Sequence, residues 1–129
     1  MTFDEAYAIA VDDSGNVYVT GFSFFGYATV KYNPAGQQLW VARYDEGGSN
    51  YAYAIAVDAS GNVYVTGQVG PGYPDYGTIK YNSAGQQQWV ARYNGPREMD
   101  QILPVAIALD GSGNVYVTGS SSRTNSRFW

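Results

Sequence analysis

Asp45 with Glu46, and Glu98 with Asp100, place paired carboxylates at two points of an otherwise charge-poor chain. Two acids about 5 to 9.5 Å apart are enough for glycoside hydrolysis, so acid–base chemistry by carboxylates is open to this sequence. Most other catalytic chemistry is closed. The 129 residues include no histidine and no cysteine, which removes the Ser-His-Asp triad, the Cys-His dyad, disulfides and the usual zinc ligand sets. A second constellation is aromatic: Phe22, Phe24, Phe25 and Tyr73 occur in irregular stretches of the same kind as those that hold Asp75 and Arg97. Aromatic faces beside carboxylates suit a sugar, by stacking and hydroxyl hydrogen bonding, or a peptide. The plainer alternative is that these rings pack between structural units while the charges solvate loops. Nothing in the sequence points to a cofactor.

Other spacings carry less. Asp12, Ser14 and Asn16 alternate like calcium ligands, but Val17 and Ser23 stand where an EF-hand loop needs Gly and a bidentate acid. Turn capping is the better use of that aspartate. Gly70-Pro-Gly72 is crowded by Pro71 and Pro74, and no helix follows to bind an anion. Eleven acids against seven bases give a net charge of -4 without a basic run, which argues against nucleic acid as a partner. No apolar run approaches the ~20 residues of a membrane span, and the Met-Thr-Phe-Asp-Glu start has no signal-peptide character.

The elements that must position these residues are repeated. Residues 8 to 21 read AIAVDDSGNVYVTG, 54 to 67 read AIAVDASGNVYVTG, and 106 to 119 read AIALDGSGNVYVTG, with starts 46 and then 52 apart. A second block, TVKYNPAGQQLWVARY at 29 to 44, returns as TIKYNSAGQQQWVARY at 78 to 93. Each whole repeat divides into four short runs rich in Val, Ile, Tyr and Thr, punctuated by Gly, Asn and Asp, and none has a helical period. In the first copy the strands are expected at Ala6 to Val11, Asn16 to Thr20, Tyr27 to Tyr32 and Gln38 to Tyr44. The turns one-to-two and three-to-four all read Asx-x-x-Gly, which suits a type I turn with a left-handed glycine. The result is an antiparallel meander.

Strand one alternates Ala6, Ala8 and Ala10 with Tyr7, Ile9 and Val11, so both of its faces are apolar and both need cover. Four-stranded units of this period, with small alanines where neighbouring sheets converge, are β-propeller blades. The pattern AIAVDxSGNVYVTG followed by TIKYNxAGxQxWVARY resembles the bacterial SBBP (seven-bladed β-propeller) repeat family, related to the NHL and YVTN propellers. That resemblance implies an all-β propeller with strand one innermost, a secreted or cell-surface bacterial setting, and no catalytic set to carry over. The expected organisation is blade one at about 4 to 44, blade two at about 50 to 93, and a half-blade at about 103 to 120 plus a tail.

Connections in a meander alternate between sheet ends, so the two-to-three and four-to-one loops share one face. The copies differ mainly there, and loops on a rigid scaffold are where specificity usually resides. The candidate ligand-binding set is therefore Phe22, Phe24, Phe25, Asp45, Glu46, Tyr73, Asp75, Arg97, Glu98 and Asp100. The expected function is a non-catalytic recognition scaffold for a carbohydrate or peptide. The alternatives are a carbohydrate-active hydrolase using the loop acids, or a ligand-free structural fragment of a larger propeller. Lys31 and Lys80, like Arg43 and Arg92, recur at equivalent positions, which favours a blade-building role over a catalytic one. Two and a half blades cannot close a ring, so a homo-oligomer, most simply a dimer, is expected to cover the bare faces.

Overall fold

A computed structural model describes residues 4–23, 26–48, 50–70, 75–93 and 100–123. These form ten strands: β1 Glu5–Val11, β2 Val17–Ser23, β3 Gly26–Tyr32, β4 Gln38–Tyr44, β5 Tyr51–Val57, β6 Val63–Val69, β7 Asp75–Tyr81, β8 Gln87–Tyr93, β9 Asp100–Leu109 and β10 Val115–Arg123. They make two four-stranded antiparallel meanders, β1–β4 and β5–β8, and one hairpin, β9–β10. Among the described residues there is no helix. The first strands β1, β5 and β9 lie side by side, which brings the small alanines of the repeat to the line where the sheets converge.

The turns form as the Asx-x-x-Gly pattern dictates. In the first, Gly15 N–H donates to the Asp12 carbonyl (3.1 Å) with Gly15 at φ 84°, the left-handed position of a type I turn with a bulge. The aspartate side chain completes the turn. Its Oδ1 accepts the N–H of Ser14 and of Asn16, both at 2.9 Å, while Oδ2 accepts Asn16 Nδ2 and the Tyr18 hydroxyl, both at 2.8 Å. Asp58 and Asp110 repeat the same four bonds with Ser60, Asn62 and Tyr64, and with Ser112, Asn114 and Tyr116. The alternate spacing of Asp12, Ser14 and Asn16 thus serves the turn. Asn33 and Asn82 do the same work in the other turns, accepting two backbone N–H groups and donating to Gln37 and Gln86.

Packing follows the two-residue period of the strands. Tyr18, Thr20, Tyr27, Thr29, Trp40 and Ala42 on one side of the first meander meet Val63, Val65, Ile79 and Tyr81 of the second. Burying each Val or Ile here is worth roughly 1.5–3 kcal/mol. The buried threonines are satisfied across strands, Thr20 with Thr29 and Thr66 with Thr78, each pair at 3.0 Å. Polar contacts fix how the sheets dock: the buried Tyr27 hydroxyl donates to the Gly77 carbonyl (3.1 Å) and Trp40 Nε1 to the Ser83 carbonyl (3.1 Å). The repeated lysines cover tyrosine faces, Lys31 over Tyr18 at 5.3 Å and Lys80 over Tyr64 at 5.4 Å.

The strands depart from the sequence expectation in two respects that bear on the loop end, a longer β2 and a bulge in the inner strand. Strand β2 runs on to Ser23, so Phe22 sits in a strand, paired with Tyr27 on one side and Glu5 on the other. Strand β1 carries a bulge at Tyr7, between the pairs Ala6–Gly21 and Ala8–Thr20, and β5 repeats it at Tyr53, between Ala52–Gly67 and Ala54–Thr66. The bulge presses the inner strand onto its neighbour. A Cβ at Gly67 would lie 1.9 Å from the Tyr51 carbonyl oxygen, so this position admits glycine alone.

Candidate functional site

The loop end of the meanders, where the copies differ, holds two clusters. The first is ionic. Asp45 and Glu46 follow β4, and Asp75 opens β7 in the next sheet. Arg92, on β8, spans between them: Nη1 lies 2.7 Å from Glu46 and Nη2 lies 3.0 Å from Asp75. The Tyr44 hydroxyl also donates to Glu46. Beneath them the buried Asn50 donates through Nδ2 to Asp45 (3.1 Å) and to the Gly47 carbonyl (3.2 Å), and its Oδ1 accepts the Gly70 N–H (3.1 Å). One guanidinium and one amide thereby tie the four-to-one loop of the first meander to the two-to-three loop of the second. Arg43 holds the equivalent place in the first sheet and bonds Ser23 Oγ at 2.8 Å. The structure therefore brings Asp45, Glu46 and Asp75 together, and gives each carboxylate a structural partner.

The second cluster is aromatic. Phe22 stacks on Tyr51 with centroids 4.7 Å apart and planes at 27°, Tyr51 stacks on Tyr53 at 6.3 Å and 16°, and Tyr53 meets Tyr7 at 5.5 Å and 54°. These four rings make a continuous row across the start of the inner strands, joining the two sheets. Tyr7 remains 43% exposed, and its hydroxyl donates to Glu5. That charged acceptor holds the Tyr7 phenol up at about 12, and burial with the neighbouring Tyr51 raises Tyr53. Both phenols are thus neutral donors at physiological pH, each presenting an apolar face and a polar tip.

Of the sequence-predicted set, Phe22 belongs to the aromatic row and Asp45, Glu46 and Asp75 to the ionic cluster. Phe24, Phe25, Tyr73, Arg97 and Glu98 lie outside the described residues, and Asp100 is described as the first residue of β9. Sequence reasoning missed Tyr7, Tyr51 and Tyr53, which strict alternation assigns to the inner strand as packing residues. The bulges at Tyr7 and Tyr53 redirect them. The recurring pair Gly21 and Gly67, each where a Cβ would strike the backbone of strand one, was the available signal.

A shallow cavity of about 400 Å³ also lies beside the hairpin, lined by Tyr76, Trp89, Tyr93, Asn114 and Val117 among others. It flanks the face of the second meander that the hairpin leaves half covered, and Trp89 is 37% exposed there.

Comparison with known proteins bears on the fold. A crystal structure of a protein of unknown function from Bacteroides caccae matches with a TM-score of 0.56 and 16% identity, covering 95% of this chain and 43% of that chain. This chain spans less than half the length of that protein, and the likeness is one of fold. No curated protein matches the sequence. Residues 4–23 and 88–125 match the SBBP beta-propeller repeat. These segments include all of β1–β2 and all of β9–β10, the hairpins built on the Asp-x-Ser-Gly-Asn-Val-Tyr-Val-Thr-Gly block, together with most of β8, and over them the chain matches the SBBP beta-propeller repeat.

Proposed function

We propose that this protein is a non-catalytic recognition module that binds carbohydrate at the loop end of its meanders, with the aromatic row as the platform. The observation that carries this reading is the continuous stack Phe22–Tyr51–Tyr53–Tyr7, edged by Glu5. Tyr7, tilted at the end of the row and 43% exposed, offers a ring to the apolar face of a pyranose, and a carboxylate with phenol hydroxyls at the margin suits the sugar's hydroxyl groups. The rings sit on strands, so little ordering is lost on binding. The loop acids support binding over hydrolysis, because Glu46 and Asp75 share the Arg92 guanidinium and Asp45 is engaged by Asn50 and the Gly47 N–H.

A screen of oligosaccharides by isothermal titration against the full chain tests the proposal. Saturable binding is expected, lost at least tenfold in Tyr7→Ala with the far-ultraviolet circular dichroism unchanged. Binding of peptides in place of sugars, or sugar binding indifferent to Tyr7 and Phe22, overturns it. Turnover of a glycoside that disappears in Glu46→Gln would replace it with the hydrolase reading.

A further inference from the structure

The hairpin motif occurs three times, and its three copies meet different fates. In the first meander, Tyr18 and Thr20 are fully buried against the second; in the second, Tyr64 and Thr66 are buried against the β9–β10 hairpin. The equivalent pair on β10, Tyr116 and Thr118, faces outward, with Tyr116 58% exposed. The opposite face of the repeat shows the reverse order. Val63 and Val65 of the second meander are fully buried, and Ile55 and Val57 are half-buried, beneath the first meander. Their counterparts Ile9 and Val11 on β1 are 66% and 62% exposed. The chain therefore displays, on its two outermost surfaces, the two halves of one interface that it has already formed internally. The Tyr/Thr half is bare on the hairpin, and the Ile/Val half is bare on the first meander.

We infer that this protein self-associates head to tail, the Ile9–Val11 face of one copy seating on the Tyr116–Thr118 face of a second. The occupant is fixed by the internal template. The surface that buries Tyr18 and Thr20 consists of the side chains that Ile9, Val11, Val17 and Val19 repeat, so a second copy brings the required shape and chemistry without alteration. The lysine of this region, Lys31, belongs to the side of the first sheet already buried against the second, and the charge on the bare face is Arg43, beside Val19, Val30 and Val41, at the position where Arg92 pairs with Glu46 across the internal contact. Such a contact is heterologous, and two copies close it when each supplies both halves.

Multi-angle light scattering of the full chain, joined to mixing of two variants, tests this. Ile9→Arg and Thr118→Arg each alter one half at an exposed position, so neither is expected to disturb the fold of the single chain, and circular dichroism checks that. The wild type is expected at twice the 14.0 kDa of the chain or a higher multiple, and each variant alone at the single-chain mass. Mixed one to one, the two variants are expected to form a heterodimer, because the intact Ile9 face of one meets the intact Thr118 face of the other. A monomeric wild type at 100 µM overturns the inference. So does association that only one of the two substitutions abolishes, since that signature belongs to a face-to-face dimer. Sugar binding is read in a separate assay, so failure here leaves the recognition proposal standing, and the reverse.

Discussion

Trp40 donates its indole N–H to the Ser83 carbonyl at 3.1 Å and lies over the turn that carries it, so close that a Cβ on Gly85 would sit 2.6 Å from the indole ring. Trp89, its counterpart one repeat later, packs on Tyr64 but is 37% exposed. One residue type at one repeat position thus has two environments. Trp40→Ala is expected to destabilise the chain by about 2 to 4 kcal/mol, through lost packing and loss of the indole bond to the Ser83 carbonyl, and Trp89→Ala by less than about 1.5 kcal/mol. Urea unfolding of both variants at one protein concentration measures the difference, and equal losses would show that the Ser83 contact adds nothing.

Glycine substitutions separate a steric requirement from mere loop position. Gly67→Ala drives a methyl group into the Tyr51 carbonyl oxygen and is expected to cost more than about 2 kcal/mol. Gly111→Ala meets no atom within 4 Å and has no left-handed backbone to strain, so it is expected to be neutral within about 0.5 kcal/mol. Thermal melts of the two variants provide the check.

Much of this was legible beforehand, for a physical reason. Turns and strands depend on residues near in sequence: Asp12 reaches only as far as Tyr18, so its motif contains every partner it uses. The pairing of Arg92 with Glu46 and Asp75 was not legible, because it joins segments 46 and 17 residues away across two sheets. Arg43 and Arg92 read identically in the repeat, yet differing loops give one a serine hydroxyl and the other two carboxylates. The aromatic row escaped notice because a single bulged residue changes the face on which a tyrosine lies, and strict alternation has no place for the bulge.

The turn aspartates make acid stability predictable. Hydrogen bonds from Asn16, with help from Tyr18 and two backbone N–H groups, outweigh burial and lower Asp12 to about 2; Asp110 is lowered chiefly by Asn114, and in Asp58 the same bonds overcome a larger burial effect. A carboxyl depressed in the folded state stabilises fully above its unfolded value of 3.8 and loses that contribution as pH falls through the folded value. Stability is therefore expected to hold down to about pH 4 and to fall from there towards pH 2. In Asp12→Asn the fall should be shallower, as followed by urea midpoints across that range.

At the alkaline end the sign reverses. Burial raises the Tyr81 phenol to about 12, and burial also raises Tyr27, whose hydroxyl is bonded to Gly77. Their contribution is complete below pH 10, the ordinary value, and is lost as pH climbs through the folded values. Tyrosinate absorbance should accordingly show a late stage above pH 10, in which these two titrate with the likewise raised Tyr7, Tyr18, Tyr53 and Tyr76 as the fold is lost. A single stage centred at pH 10 with the fold retained would contradict the packing.

Arg92 offers a test of the ionic link between sheets. Its side chain is partly exposed, so Arg92→Met should cost only about 0.5 to 1.5 kcal/mol, and the loss should shrink in 1 M salt. Arg43→Met, which leaves no acid behind, should show no such salt dependence.

The closed set of bonds around each turn aspartate gives the hairpin a kind of portability. Everything that caps it is copied whenever those seven residues are copied, wherever in a chain they land, so new hairpins of this type form without any adjustment of their surroundings. A neighbour is the one thing a copied hairpin cannot carry with it. Growth by duplication therefore advances the uncovered surface by one unit each time without removing it, and only a contact between distant units brings the series to rest.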